Sequence, residues 1–465
     1  MSVPQVADAT ATSAELTPPS VAGPGPAVAG TALAGPGPAG PGPAGPVLAE
    51  TGTPGQPDRA TPRHALSLAI VLQVLISAGD GLAMVALASR VYQTSHASWA
   101  VAAVFLAVTV PITALAPVAG MLLDRLSPRP VLVAAAAAET AVALLLTRLT
   151  GIGAILWLSL GFGVCAALLQ PGLSTIVPQL AGRAGVTRAN GYLQAATWGG
   201  FTVGPLLAGV LTAAGGTGLA LGAVAAVYGL GAIGLRLLPL AAGPAGLAGK
   251  AAPADTPGES VGRQLSAGLR FLRADRTAGL LVLVVAVMVA FGNMASVAEV
   301  AFAEGVLKAG ASGYSVLVAA WTAGMLGGTL MGGLVRRRHL ALATLAGTVI
   351  AGTGVALAGG AVTLWQAAAA YGIGGLANGV EVVATRSFLN HRVPGAISGR
   401  VFALYSGVLF GAASVGMAAA GGLLAPLNPR VVLVIAGTGG IAAGALGWAR
   451  YARLRRTDAS ARDVP

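Results

Sequence analysis

From Arg63 onward the chain alternates long apolar stretches with short basic segments. Residues 91–123, 149–182 and 401–429 each run without Asp, Glu, Lys or Arg. A helix of about 20 apolar residues crosses ~30 Å of hydrocarbon, so each run is long enough for one crossing. The uncharged stretch 189–235 is too long for one, and the small-residue run from Ala213 to Gly218 divides it in two; residues 340–380 divide similarly at Gly359-Gly360. Strands of a membrane barrel would alternate polar and apolar positions, which these runs do not. Helices also satisfy their own backbone groups inside lipid. The pattern predicts spans over 65–89, 98–122, 130–149, 152–177, 190–212, 219–240, 277–302, 312–335, 340–359, 362–388, 401–425 and 430–449. The fold class is therefore an all-α membrane protein of twelve transmembrane helices.

The basic residues test that count. With a cytoplasmic N-terminus, 23 of the 27 Lys and Arg residues fall on interior segments, and only Arg90, Arg148, Lys308 and Arg430 fall outside. This is a strong positive-inside signature, and an odd number of spans would scramble it. Both termini are expected in the cytoplasm, with the chain in the plasma membrane.

Composition agrees. Of 465 residues 55% are hydrophobic and only 9% charged, with a mean hydropathy of +0.80. A soluble domain carries roughly 25% charged residues, so an ordinary soluble enzyme and a soluble nucleic-acid binder are excluded. The net charge of +12 reflects topology rather than a polyanionic ligand, and nucleic acid is not an expected partner. The lone Cys165 excludes an intramolecular disulfide framework and a cysteine cluster. No metal and no cofactor are expected.

Residues 1–62 differ from the rest. Repeats such as those in 35–46 offer no apolar core and lack the strict three-residue period of collagen. The segment reads as a disordered cytoplasmic tail, idle on the plainest reading; no Lys or Arg precedes Arg59 to make a signal peptide. The expected organisation continues with a six-helix half over 63–240, a cytoplasmic linker over 241–276, a second six-helix half over 277–452 and a tail over 453–465. Within the linker, Leu265, Leu269 and Leu272 recur at helical spacing among Arg263, Arg270, Arg273 and Arg276. That pattern fits a short helix on the cytoplasmic leaflet, or a solvated linker.

The halves share an internal repeat. Gly120 and Gly332, Arg188 and Arg400, Gly204 and Gly416, and Gly209 and Gly421 are each 212 positions apart. They occupy equivalent places in spans two and five and in spans eight and eleven. Two six-helix pseudo-repeats with a long interior connection are a transporter architecture, with a binding site near the midplane between halves.

After span two comes Gly120, three residues, Asp124-Arg125 and then Arg129. This segment resembles the signature of the major facilitator superfamily, with Ser127 and Pro128 departing from the usual loop. The resemblance implies the major facilitator fold and a gating role for Gly120, Asp124, Arg125 and Arg129. Gly120 allows close helix approach, and Asp124 at the membrane edge suits a breakable latch. The second copy, Gly332 followed by Arg336-Arg337-Arg338, lacks the acid. In span five, Gly191, Gly200, Gly204, Pro205 and Gly209 resemble the glycine-rich antiporter motif of proton-coupled drug exporters, with Ala208 where glycine is usual. Missing side chains permit tight packing, and Pro205 removes a backbone donor. Gly79-Asp80-Gly81 and the segment from Val393-Pro394 to Gly399-Arg400-Val401 are similar to enterobactin-type siderophore exporters and macrolide efflux proteins.

Four acids fall within or near spans. A charge at the bilayer centre costs on the order of 2.5–3.5 kcal/mol even on the lenient insertion scale, and it faces a cavity or a partner. At ~1.5 Å per residue, Asp80 lies roughly 22 Å and Glu139 roughly 14 Å into their helices. Glu299 is expected near the outer end of span seven. Glu381 lies one turn from Arg386, which makes an ion pair its plainer role. Asp80, Glu139 and Glu381 are the proton-coupling candidates; a structural hydrogen bond is the alternative for Asp80, and Glu139 belongs to a span that is often peripheral in this superfamily. Asn293, Asn378, Trp198 and Phe201 are candidates for the substrate cavity.

The expected function is proton-coupled export of small amphipathic organic molecules by alternating access, by a monomer whose partners are the substrate, protons and the bilayer. Uptake of a nutrient is the alternative within the superfamily, and a non-transporting scaffold or sensor is the alternative outside it. The sequence contains no nucleophile–base pair and no phosphate-binding Gly-Lys-Ser/Thr loop, so an enzyme is not expected.

Overall fold

The computed structural model describes residues 63–238, 261–394 and 397–460; the side chains at 63, 116–118, 120, 121, 123–125, 128, 170–191, 261–265, 267 and 457–460 lie outside that description. The tail 1–62 and most of the linker therefore fall outside it. The described chain forms eleven helices: α1 (Arg63–Ser95), α2 (Ser98–Arg125), α3 (Pro128–Arg148), α4 (Ile152–Leu237), α5 (Val261–Ala274), α6 (Arg276–Ala301), α7 (Gly310–Gly332), α8 (Leu340–Gly360), α9 (Leu364–Arg392), α10 (Ser398–Leu423) and α11 (Pro429–Ser460). There is no strand among the described residues. Eleven stretches are long and apolar enough to cross a membrane, one of them Tyr192–Leu237 with 46 residues.

Here the structure differs from the sequence pattern. Where three spans are expected, α4 is helical over 86 residues. It is not one rod. Gly216 has φ +75°, a left-handed conformation that glycine adopts without cost and that turns a helix end back on itself. The packing shows the reversal. Gly200 lies against Val74 and Ser77 of α1, and Gly204 against Ala78 and Leu82, so this part of α4 runs parallel to α1. Beyond Gly216, Gly231 faces Ile76 and Gly234 faces Leu72, so the chain now runs antiparallel to α1. Tyr192–Leu237 thus makes two passes, and the described chain holds twelve.

The repeat in the sequence is a repeat in packing. Gly204 lies against α1, and its counterpart Gly416 lies against Ala290 of α6. Gly209 lies against Ser315 of α7, and its counterpart Gly421 against Ala102 and Trp99 of α2. Span five therefore contacts spans one and eight as span eleven contacts spans seven and two, which is the pseudo-two-fold relation between six-helix halves.

One face of the bundle carries the four sparse basic residues. There Arg90, 8% exposed, donates to the Thr217 hydroxyl and the Leu149 carbonyl, tying the Gly216 turn to the end of α3. Arg430 donates to the Gly359 and Ala361 carbonyls and lies over the Phe302 ring, 5.4 Å from its centroid. On this charge-poor face the halves also meet: Gln93 donates to Glu304 at 3.2 Å, beside the Gly209 and Gly421 contacts.

On the opposite, Arg-rich face the linker does form a helix, α5. Its Leu272 is buried against Val282, Leu389, Val401 and Tyr405 of the second half. Leu269 is 40% exposed. The helix is thus docked on protein through Leu272. Asp275 fixes the junction to α6. One carboxylate oxygen accepts from the Thr277 and Ala278 amides, and the other accepts from Arg392 at 2.6 Å.

Candidate functional site

Two adjoining cavities lie between the halves. The first, about 260 Å³, is walled by Trp198, Phe201 and Pro205 from the first half and by Asn293, Glu299, Trp321, Tyr371 and Asn378 from the second. The second, about 250 Å³, is walled by Asp80, Phe105, Phe162, Phe201, Asn293 and Met417. Met84, Phe201, Asn293 and Ser296 border both, so the two form one apolar chamber. All four cavity candidates from the sequence, Asn293, Asn378, Trp198 and Phe201, line it. Asn293 spends its amide on the Val289 carbonyl at 2.8 Å, one helical turn back.

Asp80 enters this chamber from α1. The Tyr228 hydroxyl donates to its carboxylate at 2.5 Å, and Phe162 packs edge-on against the Tyr228 ring, centroids 5.5 Å apart. Gly79 makes this possible, because a Cβ there would sit 3.0 Å from Val227 and 3.1 Å from Tyr228. Glu139 is fully buried in α3 and interacts electrostatically with both Asp80 and Tyr228. Neither Glu139 oxygen has a hydrogen-bond partner among the described residues. A third cavity, about 230 Å³, reaches Asp80 from its Arg-rich side and is lined by Gln73, Ser77, Leu193, Gln194, Thr197 and Phe201. Asp80 therefore borders an apolar chamber on one side and a polar pocket on the other, with Phe201 common to both.

The remaining candidates divide. Glu381 in α9 does not line the chamber; it stands behind Asn378, whose amide donates to it at 3.1 Å, and beside a pair of buried hydroxyls, Thr344 and Thr385, 3.0 Å apart. The ion pair with Arg386 suggested by spacing is absent among the described residues, where Arg392–Asp275 is the salt bridge that forms. Glu299 lies in the last turn of α6, near the end of span seven as the sequence places it. A π-helical turn, Phe302–Val306, prolongs the span beyond Ala301, and Glu299 borders the chamber. Gly200, Gly204 and Pro205 bring span five onto α1, with Pro205 against Gly81, and Gly209 brings it onto α7. Gly120, Asp124, Arg125 and Gly191 lie outside the described side chains; Arg129 is half-buried at the start of α3.

Tyr228, Tyr371 and Trp321 escape sequence reasoning. The only local signal is their type, polar aromatics among the chain's seven Tyr and six Trp residues inside apolar spans.

Two pseudo-symmetric bundles enclosing a chamber define a multi-pass membrane transporter. Residues 69–374 match the Major Facilitator Superfamily, and the chain belongs to that superfamily. Its fold is similar to the crystal structure of nucleoside transporter NupG, with a TM-score of 0.66 and 13% identity over 83% of this chain and 99% of that one. It is similar too to a bacterial homolog of the human lysosomal transporter Spinster, captured inward-facing and unoccupied, with a TM-score of 0.62 and 15% identity over 83% and 95%. No curated protein matches the chain in sequence. Superfamily membership makes it a transporter of small molecules rather than an enzyme.

Proposed function

We propose that this chain exports small amphipathic organic molecules, drug-, macrolide- or siderophore-like, in exchange for protons. It does so as a monomer in the plasma membrane, with both termini cytoplasmic. The observation that carries this reading is the position of Asp80 between the apolar chamber and the polar pocket on the Arg-rich side. A carboxyl so placed can take a proton when the chamber faces one side and release it when the pocket faces the other. Tyr228 holds that carboxyl in place, and Glu139 adds a second acid within electrostatic range. Each proton entering down 100 mV supplies about 2.3 kcal/mol, which drives substrate outward when the two share one alternating chamber. The charge split of 23 to 4 supports placing the Arg-rich face in the cytoplasm. Asp124 serves as the latch on that face, and the glycines of span five set the packing across which the halves rock.

The test uses inverted vesicles with an imposed pH gradient and a panel of dyes, macrolides and siderophores. Wild-type protein should accumulate a substrate only with the gradient, and Asp80→Asn should abolish that accumulation while folding normally. Unchanged transport by Asp80→Asn refutes the proton role. Movement only in the opposite direction makes the protein an importer.

A further inference from the structure

Glu299 is 5% exposed, yet it borders the chamber. Its Oε1 has no hydrogen-bond partner among the described residues, and neither do the buried hydroxyls of Tyr314 and Tyr371, both of which interact electrostatically with it. A buried carboxylate costs free energy unless something pairs with it. No Lys, Arg or His lines either part of the chamber, so the protein itself supplies no partner of opposite charge. The same chamber presents two aromatic pairs, Trp321 with Tyr371 at 5.8 Å and Trp198 with Phe201 at 6.2 Å between centroids. Aromatic faces attract cations, most strongly where water is excluded.

We infer that Glu299 and the aromatic walls of this chamber form a binding site for a monovalent organic cation with an aromatic body. An anion would meet an acid with no compensating base, and a neutral solute would bring no positive charge to it. The acid of this site is supplied by one half only. The position 212 residues before Glu299 is Leu87, and the position 212 residues after Asp80 is Gly292. The repeat is thus broken at both acids, which separates a proton site in the first half from a cation site in the second. The inference rests on reading the chamber as the transport site. Its test measures binding alone, which is blind to direction and to proton coupling.

Purified full-length protein is titrated with N-methylphenylpyridinium, with its uncharged analogue methylbiphenyl and with the anion phenylbenzoate, following quenching of tryptophan fluorescence. The cation should bind at least about tenfold more tightly than either analogue. Glu299→Gln should erase that preference, Glu299→Asp should keep most of it, and Asp275→Asn, at an acid outside the chamber, should leave it intact. A preference absent from the wild type, or surviving in Glu299→Gln, overturns the assignment. Should Glu299→Gln fail to fold, labelling of wild-type Glu299 by a hydrophobic carbodiimide, read by mass spectrometry, decides the matter. Protection by the pyridinium upholds the site, and undiminished labelling overturns it.

Discussion

Tyr228 donates its hydroxyl to Asp80 across 2.5 Å, although the two residues are 148 positions apart. The contact joins the first span of the chain to the last span of the same half. It depends on the chain reversal at Gly216, because that turn returns α4 alongside α1 in the opposite direction. The acid is thereby held by a different helix from the one that carries it.

Removing the hydroxyl should be felt in rate more than in fold. A hydrogen bond to a charged group is worth about 1.5–3 kcal/mol, so Tyr228→Phe should slow gradient-driven transport roughly tenfold or more. The measurement is initial rate in vesicles at matched protein levels. A rate equal to wild type would show that Asp80 needs no holder.

Close packing of span five on α1 makes a paired comparison available. A Cβ at Gly204 would meet the Ala78 carbonyl and the Leu82 amide, whereas nothing lies within 4 Å of one at Gly199. Overpacking costs typically about 1–3 kcal/mol. Gly204→Val should therefore lower the unfolding temperature in detergent by several degrees, and Gly199→Ala should leave it unchanged. Equal effects at both positions would remove the packing argument for the glycine motif.

Asp275 has two jobs that two substitutions separate. Asp275→Ala loses both the α6 cap and the Arg392 ion pair, and the cap alone is worth about 1 kcal/mol. Asp275→Asn keeps a capping oxygen and loses the charge. Arg392 is 57% exposed, so the pair adds little in water and less in high salt. Thermal unfolding should rank wild type and Asp275→Asn close together, with Asp275→Ala clearly lower.

Contacts between the halves on the charge-poor face provide a lock. A Cβ on Gly421 would stand 3.1 Å from that of Ala102, and a disulfide needs about 3.5–4.5 Å between such atoms, reached by a shift of a few tenths of an ångström. In a Cys165→Ser background, Ala102→Cys with Gly421→Cys should cross-link on oxidation. Transport should then stop and return on reduction. Continued transport by the cross-linked protein would show that this face does not open during the cycle.

Many residues of the site are legible in the sequence, and their partners are not. Asp80 is conspicuous as a lone acid in an apolar span, and Trp198, Phe201, Asn293 and Asn378 stand out as polar or bulky residues among small ones. Glu299 is equally visible, but its place in the chamber beside Trp321 and Tyr371 depends on how α6 packs against α7 and α9. Glu139 was legible as deep, yet its neighbourhood with Asp80 and Tyr228 was not. Glu381 has an arginine one turn along its own helix, and the fold gives it Asn378 instead.

By itself the sequence determined the crossings, the segregation of charge between the two faces, the duplication into halves and the superfamily. The first two follow from the bilayer acting on the chain locally, through the length of an apolar run and the placement of the next arginine; the other two follow from a fixed 212-residue offset and a short motif after span two. Only the tertiary structure decided which faces meet. Spans built largely of Ala, Gly, Leu and Val are apolar all round, so no periodic stripe marks the side that packs inward. The partners of Asp80 and Glu299, and the chamber they share, arise from contacts between helices far apart in the chain.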